Sequence, residues 1–255
     1  MKLNKLFVAT TILAASSIAS ADVVGVYAGA QKWNYDIDGY VSTGSENIDF
    51  NNDLGYDDGD DNSYFVALEH PIPVLPNIKI QQNNLEGNAR GTASQDYTFG
   101  SVPFIAGTPT VSSYDFSNID YTLYYEILDN WVNLDLGITG KQFDGYMDVG
   151  VEVTTGGPIT SRVDFTGTVP MLYGKAQFDF PLSGFSVGST LNIGQTTDDK
   201  INDYTIFLGY NSDKDQTGFG FEVGYRNFTV EFDDFDDLSS DFTFDGYYAS
   251  LNFHF

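Results

Sequence analysis

Large apolar and small or polar residues alternate in ten separate stretches of this chain, and a period of two commits a segment to a β-strand with one apolar face. The first stretch lies near 22–35 (Val24, Val26, Ala28, Ala30), the second near 63–70 (Tyr64, Val66, Leu68) and the third near 77–88, where only Ile78 and Ile80 stand out. "NIDYTLYYEIL" sets Ile119, Tyr121, Leu123, Tyr125 and Ile127 on one side, and "NWVNLDLGITGK" does the same with Val132, Leu134, Leu136 and Ile138. Then come Leu172 to Phe180, Phe185 to Ile193, Tyr204 to Tyr210, Phe219 to Tyr225 and the closing "YYASLNFHF" at 247–255. Each stretch is close to the roughly 9–11 residues that cross a bilayer as a tilted strand.

The first 21 residues follow a different rule. Lys2 and Lys5, an apolar run from Leu6 to Ala15 and the small residues Ala19-Ser20-Ala21 read as a secretory signal peptide cleaved before Asp22. No later segment approaches the roughly 20 unbroken apolar residues of a transmembrane helix. An exported chain of this kind either stays soluble or enters a membrane as strands. It has no cysteine, which removes a disulfide framework. Without the leader, nine basic residues face 36 acidic ones, a net charge of −27, which repels nucleic acid and argues against it as a partner. The 16% aromatic content and 26 glycines argue against disorder and for strands and tight turns.

The connections decide between the two options. They alternate long and short: an acidic loop 36–62, the turn "PIPVLPN", a loop 89–116, the turn "LDN", a long hairpin tip around "TTGGP", the turn "PLSG", a loop near "TTDDKIN", the turn "SDKDQT" and an acidic loop 231–245. Transmembrane barrels carry short turns on one side and long loops on the other, with an even strand count. The expected fold is therefore all-β: a transmembrane, antiparallel, up-and-down barrel of ten strands over 22–255, with eight or twelve as variants. A soluble secreted or periplasmic β-sandwich is the alternative.

"YYASLNFHF" resembles the closing-strand assembly signal of bacterial outer-membrane β-barrels, in which Tyr247, Leu251, Phe253 and Phe255 would form the recognised stripe. The stretch "ALEHPIPVLPNIKI" at 67–80 and the whole layout are similar to a family of uncharacterised small outer-membrane barrels of marine Gram-negative bacteria. The resemblance implies location and fold alone: a Gram-negative outer membrane, with membrane lipid, lipopolysaccharide and the barrel assembly machinery as partners. The chain is expected to be monomeric.

If the apolar faces meet lipid, the opposite faces line the lumen. Glu69, Lys79, Asp120, Glu126, Asp135, Lys141, Lys175, Asp179, Glu222 and Arg226 then point inward, six acids among four bases, and mixed signs let them pair. Glu69 and Lys79 flank one short turn and are the pair most expected. Barrels near eight strands are filled by side chains, whereas open aqueous channels belong to sixteen or more, so a largely filled lumen is expected. The small inward set Ser186, Gly188, Thr190 and Asn192 supports the alternative, a narrow cation-preferring passive channel.

Two acidic runs, "DLGYDDGDDN" and "FDDFDDLSSDF", stand out. Closing the barrel pairs the first strand with the tenth, and this is expected to crowd 16 of the 36 acids into one sector of an outer rim. Oxygen-only clusters suit calcium or magnesium, so Asp57, Asp58, Asp60, Asp61, Asp233, Asp234, Asp236 and Asp237 are candidate ligands of a weakly bound divalent cation. The competing reading is a hydrated loop surface with no defined site. No other cofactor is expected. The two histidines, His70 and His254, map to the short-turn end, away from the acidic runs, and no G-x-S-x-G motif occurs. No catalytic residue is assigned. The expected role is structural or interactive: envelope integrity, or binding of cations or surfaces.

Overall fold

Strand alternation dominates the chain, and the computed structural model is built almost wholly from it. The structure describes residues 24–72, 74–153, 157–196, 199–212 and 217–255, apart from the Asp234 side chain; the expected signal peptide over 1–21 lies outside them. The strands are β1 (Gly25–Ser42), β2 (Ile48–Asp49), β3 (Asp58–Glu69), β4 (Asn77–Asn83), β5 (Glu86–Thr92), β6 (Tyr97–Phe99), β7 (Val102–Phe104), β8 (Pro109–Asp115), β9 (Asn118–Leu128), β10 (Val132–Val151), β11 (Ile159–Asp179), β12 (Phe185–Gln195), β13 (Lys200–Asn211), β14 (Gly218–Phe235) and β15 (Leu238–His254).

Ten of them close on themselves in the order β1-β3-β4-β9-β10-β11-β12-β13-β14-β15-β1, every pair antiparallel. The seam runs to the last residue: the Val26 N–H donates to the Phe255 carbonyl at 3.2 Å and the Phe255 N–H to the Val26 carbonyl at 2.9 Å. Closure leaves no unpaired edge in this part of the wall, the condition for a β structure in hydrocarbon. An apolar belt faces outward, with Leu123, Ile138, Leu172, Ile206, Val223 and Leu251 among its exposed residues. Val24, Phe255 and the short turns share one end, called the inner end below.

The strands extend well beyond the belt, which corrects the expected loops at 36–62 and 231–245. β1 continues to Ser42, β3 begins at Asp58, and β14 and β15 meet in a two-residue turn with Phe235 opposite Leu238. Both turn residues are left-handed, Asp236 at φ 53° and Asp237 at φ 67°, as a two-residue hairpin of the primed type requires. The expected loop 89–116 likewise holds the β5–β8 ladder and the small β6–β7 hairpin.

In these extensions the parity is unchanged and the polarity inverts. Along β1, Val26, Ala28 and Ala30 face out beside a polar lumen. Further on, Lys32, Asn34, Asp36 and Asp38 face out while Trp33, Tyr35 and Ile37 are buried inside. β14 and β15 do the same, turning Phe228, Val230, Phe232, Phe242 and Phe244 inward. The wall also splits. The β11–β12 ladder stops at Met171 opposite Gly194, while β10–β11 continues to Val151 opposite Ile159, and β5 pairs with β8 alone. The outer half is thus two sheets, β5-β8-β10-β11 and β14-β15-β1-β3, enclosing aromatic side chains. The soluble sandwich weighed from sequence as the fold of the whole chain is not what forms: the facing sheets are extensions of the barrel's own strands.

Loop 43–57 and the β6–β7 hairpin cover the outer end. Phe50, Leu54, Phe99 and Phe104 are buried there with Phe116, Phe143 and Phe165. Each fully buried side chain of this size contributes roughly 1.5–3 kcal/mol. Gly91 lets the loop approach β5: a Cβ there would lie 2.5 Å from the Asp53 carbonyl oxygen. Asp53, itself buried, accepts from the Ser94 N–H at 2.7 Å and its hydroxyl at 2.6 Å, pinning the loop to the cover.

Candidate functional site

The lumen contains two arrangements, one above the other. At mid-height β4, β9, β10, β13 and β14 contribute a buried polar septum. The Lys141 ammonium, with no exposed surface, lies 2.9 Å from Asp120 Oδ1 and 3.4 Å from Asp203 Oδ2, and donates to Asn118 Oδ1 at 3.1 Å. Arg226 grips Asp203 with two parallel bonds, Nε to Oδ1 at 2.9 Å and Nη2 to Oδ2 at 2.7 Å. Its Nη1 donates to Asn83 Oδ1 at 3.2 Å, and its guanidinium lies 4.7 Å from the centre of the Trp33 ring. Two cations and two carboxylates cancel, and the bidentate fork supplies the geometry that a buried pair needs. On the outer side of this septum lies the aromatic interior.

On the inner side is a cavity of about 1620 Å³, reaching from Arg226 and Asp203 to the turn residues Pro71, Asp129 and Asn130. The expectation of a largely filled lumen thus holds for the outer half and is corrected for the inner one, where small inward residues (Thr190, Asn192, Ser250) leave room. Every inward charge expected from sequence is in this lumen: Glu69, Lys79, Asp120, Glu126, Asp135, Lys175, Asp179, Glu222 and Arg226 line the cavity, and Lys141 lies in the septum.

The pairing differs from expectation in one place. Glu69 accepts a hydrogen bond from the Tyr124 hydroxyl at 2.6 Å, and the Lys79 ammonium lies over the Phe65 ring, 4.8 Å from its centre. In the β3–β4 register Lys79 stands opposite Ala67, which offsets it from Glu69. Glu126 accepts from Asn77 at 3.3 Å, and Asp179 accepts from Asn133 at 2.6 Å and Gln177 at 2.8 Å. Asp203 was missed from the sequence although it precedes the outward Tyr204 and so falls on the inward parity. Asn83 and Asn118 carry no charge to draw attention.

The two acidic runs do not come together. Barrel closure does pair β1 with β15, but Asp36 stands opposite Asp58, whereas Ser42 stands opposite Ser239 below the 236–237 turn. Six residues of strand separate the levels, about 20 Å at about 3.3 Å per residue. The candidate metal ligands have other surroundings. Asp57 and Asp58 are exposed, Asp60 pairs with Lys32, Asp236 accepts from the Thr166 N–H at 2.9 Å, and the Asp233 N–H donates to Asp199 at 3.4 Å. Asp237 occupies the exposed turn, and the Asp234 side chain lies outside the described residues. Among the described residues no three carboxylates or imidazoles gather as a metal-ion site.

Asp61 points inward instead. Its Oδ2 accepts from the Tyr35 hydroxyl at 2.7 Å and the Glu86 N–H at 3.2 Å, and Tyr35 in turn meets the Tyr114 hydroxyl at 3.3 Å. Burial pushes the Asp61 carboxyl above the usual carboxylate range, with the Tyr35 and Glu86 bonds pulling the other way. Burial, then the facing Tyr114 and Asp61, pushes the Tyr35 phenol far upward. His254 stacks on Tyr27 with ring centres 4.2 Å apart, and the Ile72 N–H donates to His70 Nδ1 at 3.3 Å, so both histidines are at the inner end.

No family model and no curated protein matches this chain. Among solved structures, the outer membrane protease OmpT from Escherichia coli is similar at 8% identity over 92% of this chain and 97% of that one, TM-score 0.49. Ail, the attachment invasion locus protein of Yersinia pestis, is similar at 8% identity over 92% and 100%, TM-score 0.34. A Pseudomonas aeruginosa FadL homologue is similar at 9% identity over 92% and 90%, TM-score 0.36. These likenesses are too distant to carry an activity across, and the barrel assignment rests on the strand pairing itself.

Proposed function

We propose that this chain is an integral protein of a Gram-negative outer membrane, a non-conducting anchor that holds an acidic β-sandwich outside the bilayer. The observation that carries this reading is the polarity inversion. An apolar belt suits lipid, and above it the same strands turn charges to water and phenyl rings to the interior. The septum around Lys141 and the aromatic filling beyond it obstruct passage.

The exposed carboxylates, Asp36, Asp38, Asp57 and Asp58 among them, favour a role in surface interaction or envelope integrity. They hold calcium or magnesium as a diffuse layer shared with lipopolysaccharide. The role is non-catalytic, since the imidazoles lie at the opposite end from the acidic runs. Tyr247, Leu251, Phe253 and Phe255 serve as the signal for the assembly machinery, and the barrel acts as a monomer.

The second reading, a narrow cation-preferring channel, has the inner cavity in its favour. Planar-bilayer recording of the folded chain separates the two. Silence at moderate voltage is expected, and reproducible unitary steps, altered when Lys141 or Arg226 is replaced, would overturn the anchor reading.

A further inference from the structure

The inner cavity holds charged groups that make no direct hydrogen bond or ion pair with another described residue. Asp135 is only 7% exposed and faces the cavity, yet its carboxylate makes no hydrogen bond and no ion pair within 4 Å with any described residue. Tyr173, also 7% exposed, turns into the same space with a hydroxyl that has no hydrogen-bond partner among the described residues. Lys175, directly opposite Asp135 in the β10–β11 ladder, and the half-buried Glu222 across the lumen likewise lack a direct partner there. A buried charge without a partner is costly, and natural interiors match such groups with protein, water or ligand. The septum a few residues away pairs each of its charges directly, so the contrast is internal to one lumen.

The lining also has a sign. Once the balanced septum is set apart, six carboxylates (Glu69, Glu126, Asp129, Asp135, Asp179, Glu222) share the cavity with only Lys79 and Lys175. They are spread around the wall, whereas a calcium ion needs 6–8 oxygens converging at about 2.3–2.6 Å. A spread array suits a flexible molecule bearing several cationic groups. The lumen already accommodates its own cations in this manner, Lys79 over Phe65 and Arg226 over Trp33. The two lysines require an anionic or carbonyl group on that same molecule. At about 1620 Å³ the cavity exceeds the roughly 300–1,000 Å³ of ordinary small-molecule pockets.

We propose that the inner cavity is a blind binding chamber for short basic peptides, entered from the turn end. Ammonium or guanidinium side chains meet Asp135, Glu222 and Glu126. The peptide's terminal carboxylate and carbonyls meet Lys175 and Lys79, and the Tyr173 hydroxyl completes the contact. The assignment does not depend on the anchor reading: a conducting barrel with a peptide-filled chamber would fail the bilayer test and pass this one.

The test is isothermal titration of the full chain, folded in non-ionic detergent, with trilysine carrying a free carboxyl terminus. Saturable binding is expected, weakened at least about tenfold by Asp135→Asn combined with Glu222→Gln. Asp135→Lys combined with Glu222→Lys, which reverses the charge of the chamber wall and leaves the outer surface unaltered, should abolish it. Heat-modifiable gel migration verifies that each variant is folded. Because the outer surface is also strongly acidic, binding that survives this charge reversal would overturn the proposal in favour of surface electrostatics. Spermine, which offers ammonium groups and no carboxylate, should bind more weakly; equal affinity would overturn the peptide assignment, as would no binding of trilysine at all.

Discussion

The inner and outer halves of this barrel share strands, parity and hydrogen-bond ladders, yet they are opposite solutions to the same problem. In the inner half Leu251 and Phe253 face out and Ser250 and Asn252 face in; six residues before Leu251 and Ser250 on the same strand, Asp245 faces out and Phe244 faces in. Nothing in the backbone changes between them. What changes is the solvent outside the wall, which dictates which set of side chains it accepts. The interior follows: polar and partly empty where lipid covers the outside, apolar and packed where water does.

Replacements can break this comparison, and the largest effect is expected where the halves meet. Asp203→Ala leaves Lys141 and Arg226 sharing one remaining carboxylate, and uncompensated burial of this kind costs about 3–5 kcal/mol. Urea unfolding followed by Trp33 fluorescence, which senses the stacked Arg226, should record the loss; an unchanged midpoint would mean that the septum is not a structural tie.

Phe244→Ala removes a fully buried ring from the outer core and is expected to cost about 3–4 kcal/mol, whereas Phe253→Ala, trimmed at the lipid face, should cost far less. Equal losses in the same unfolding assay would contradict the inversion. The converse comparison uses charge. Ile206→Arg, between the outward Tyr204 and Leu208, should cost about 2–4 kcal/mol in a bilayer, while Asp36→Arg, outward but above the belt, should stay within about 0.5 kcal/mol. Folding yields in lipid vesicles at graded urea provide the measure.

The smallest effect concerns Asp61. Its carboxyl titrates higher in the folded than in the unfolded chain, so its contribution to stability is complete below the ordinary carboxylate pKa and declines as pH rises through the raised folded value. Asp61→Asn keeps an acceptor for Tyr35 and should stabilise the protein near neutral pH by under about 1 kcal/mol, with the gain shrinking in acid. A gain that grows in acid would reverse the assignment.

The membrane half was legible in the sequence because lipid accepts only one face: Leu123, Tyr125 and Ile127, or Leu134, Leu136 and Ile138, announce their strands and the lumen residues between them. The same logic, continued past Tyr204, would have placed Asp203 inward. The outer strands were read as loops because their alternation runs in the opposite sense, with aspartates on the outside. In "YDDGDD" the acids occupy consecutive positions, so inward Asp61 is indistinguishable from outward Asp60 until Tyr35 is seen across the ladder. The heights of the two acidic runs depended on strand length and register, which charge counting does not convey. The inner cavity was hidden for a similar reason, since its volume follows from the sizes of residues on strands far apart in sequence.

The inversion also has a mechanical consequence. Sliding the barrel outward along the membrane normal by two residues would strip lipid from Tyr247 and Tyr225 at the outer edge of the belt, and sliding it inward would drag Lys32, Asp36 and Asp245 into hydrocarbon. Both displacements are penalised around the whole circumference at once. The boundary between the halves therefore works as a depth gauge, fixing how far the aromatic-cored half stands clear of the hydrocarbon and how thick a membrane the protein tolerates.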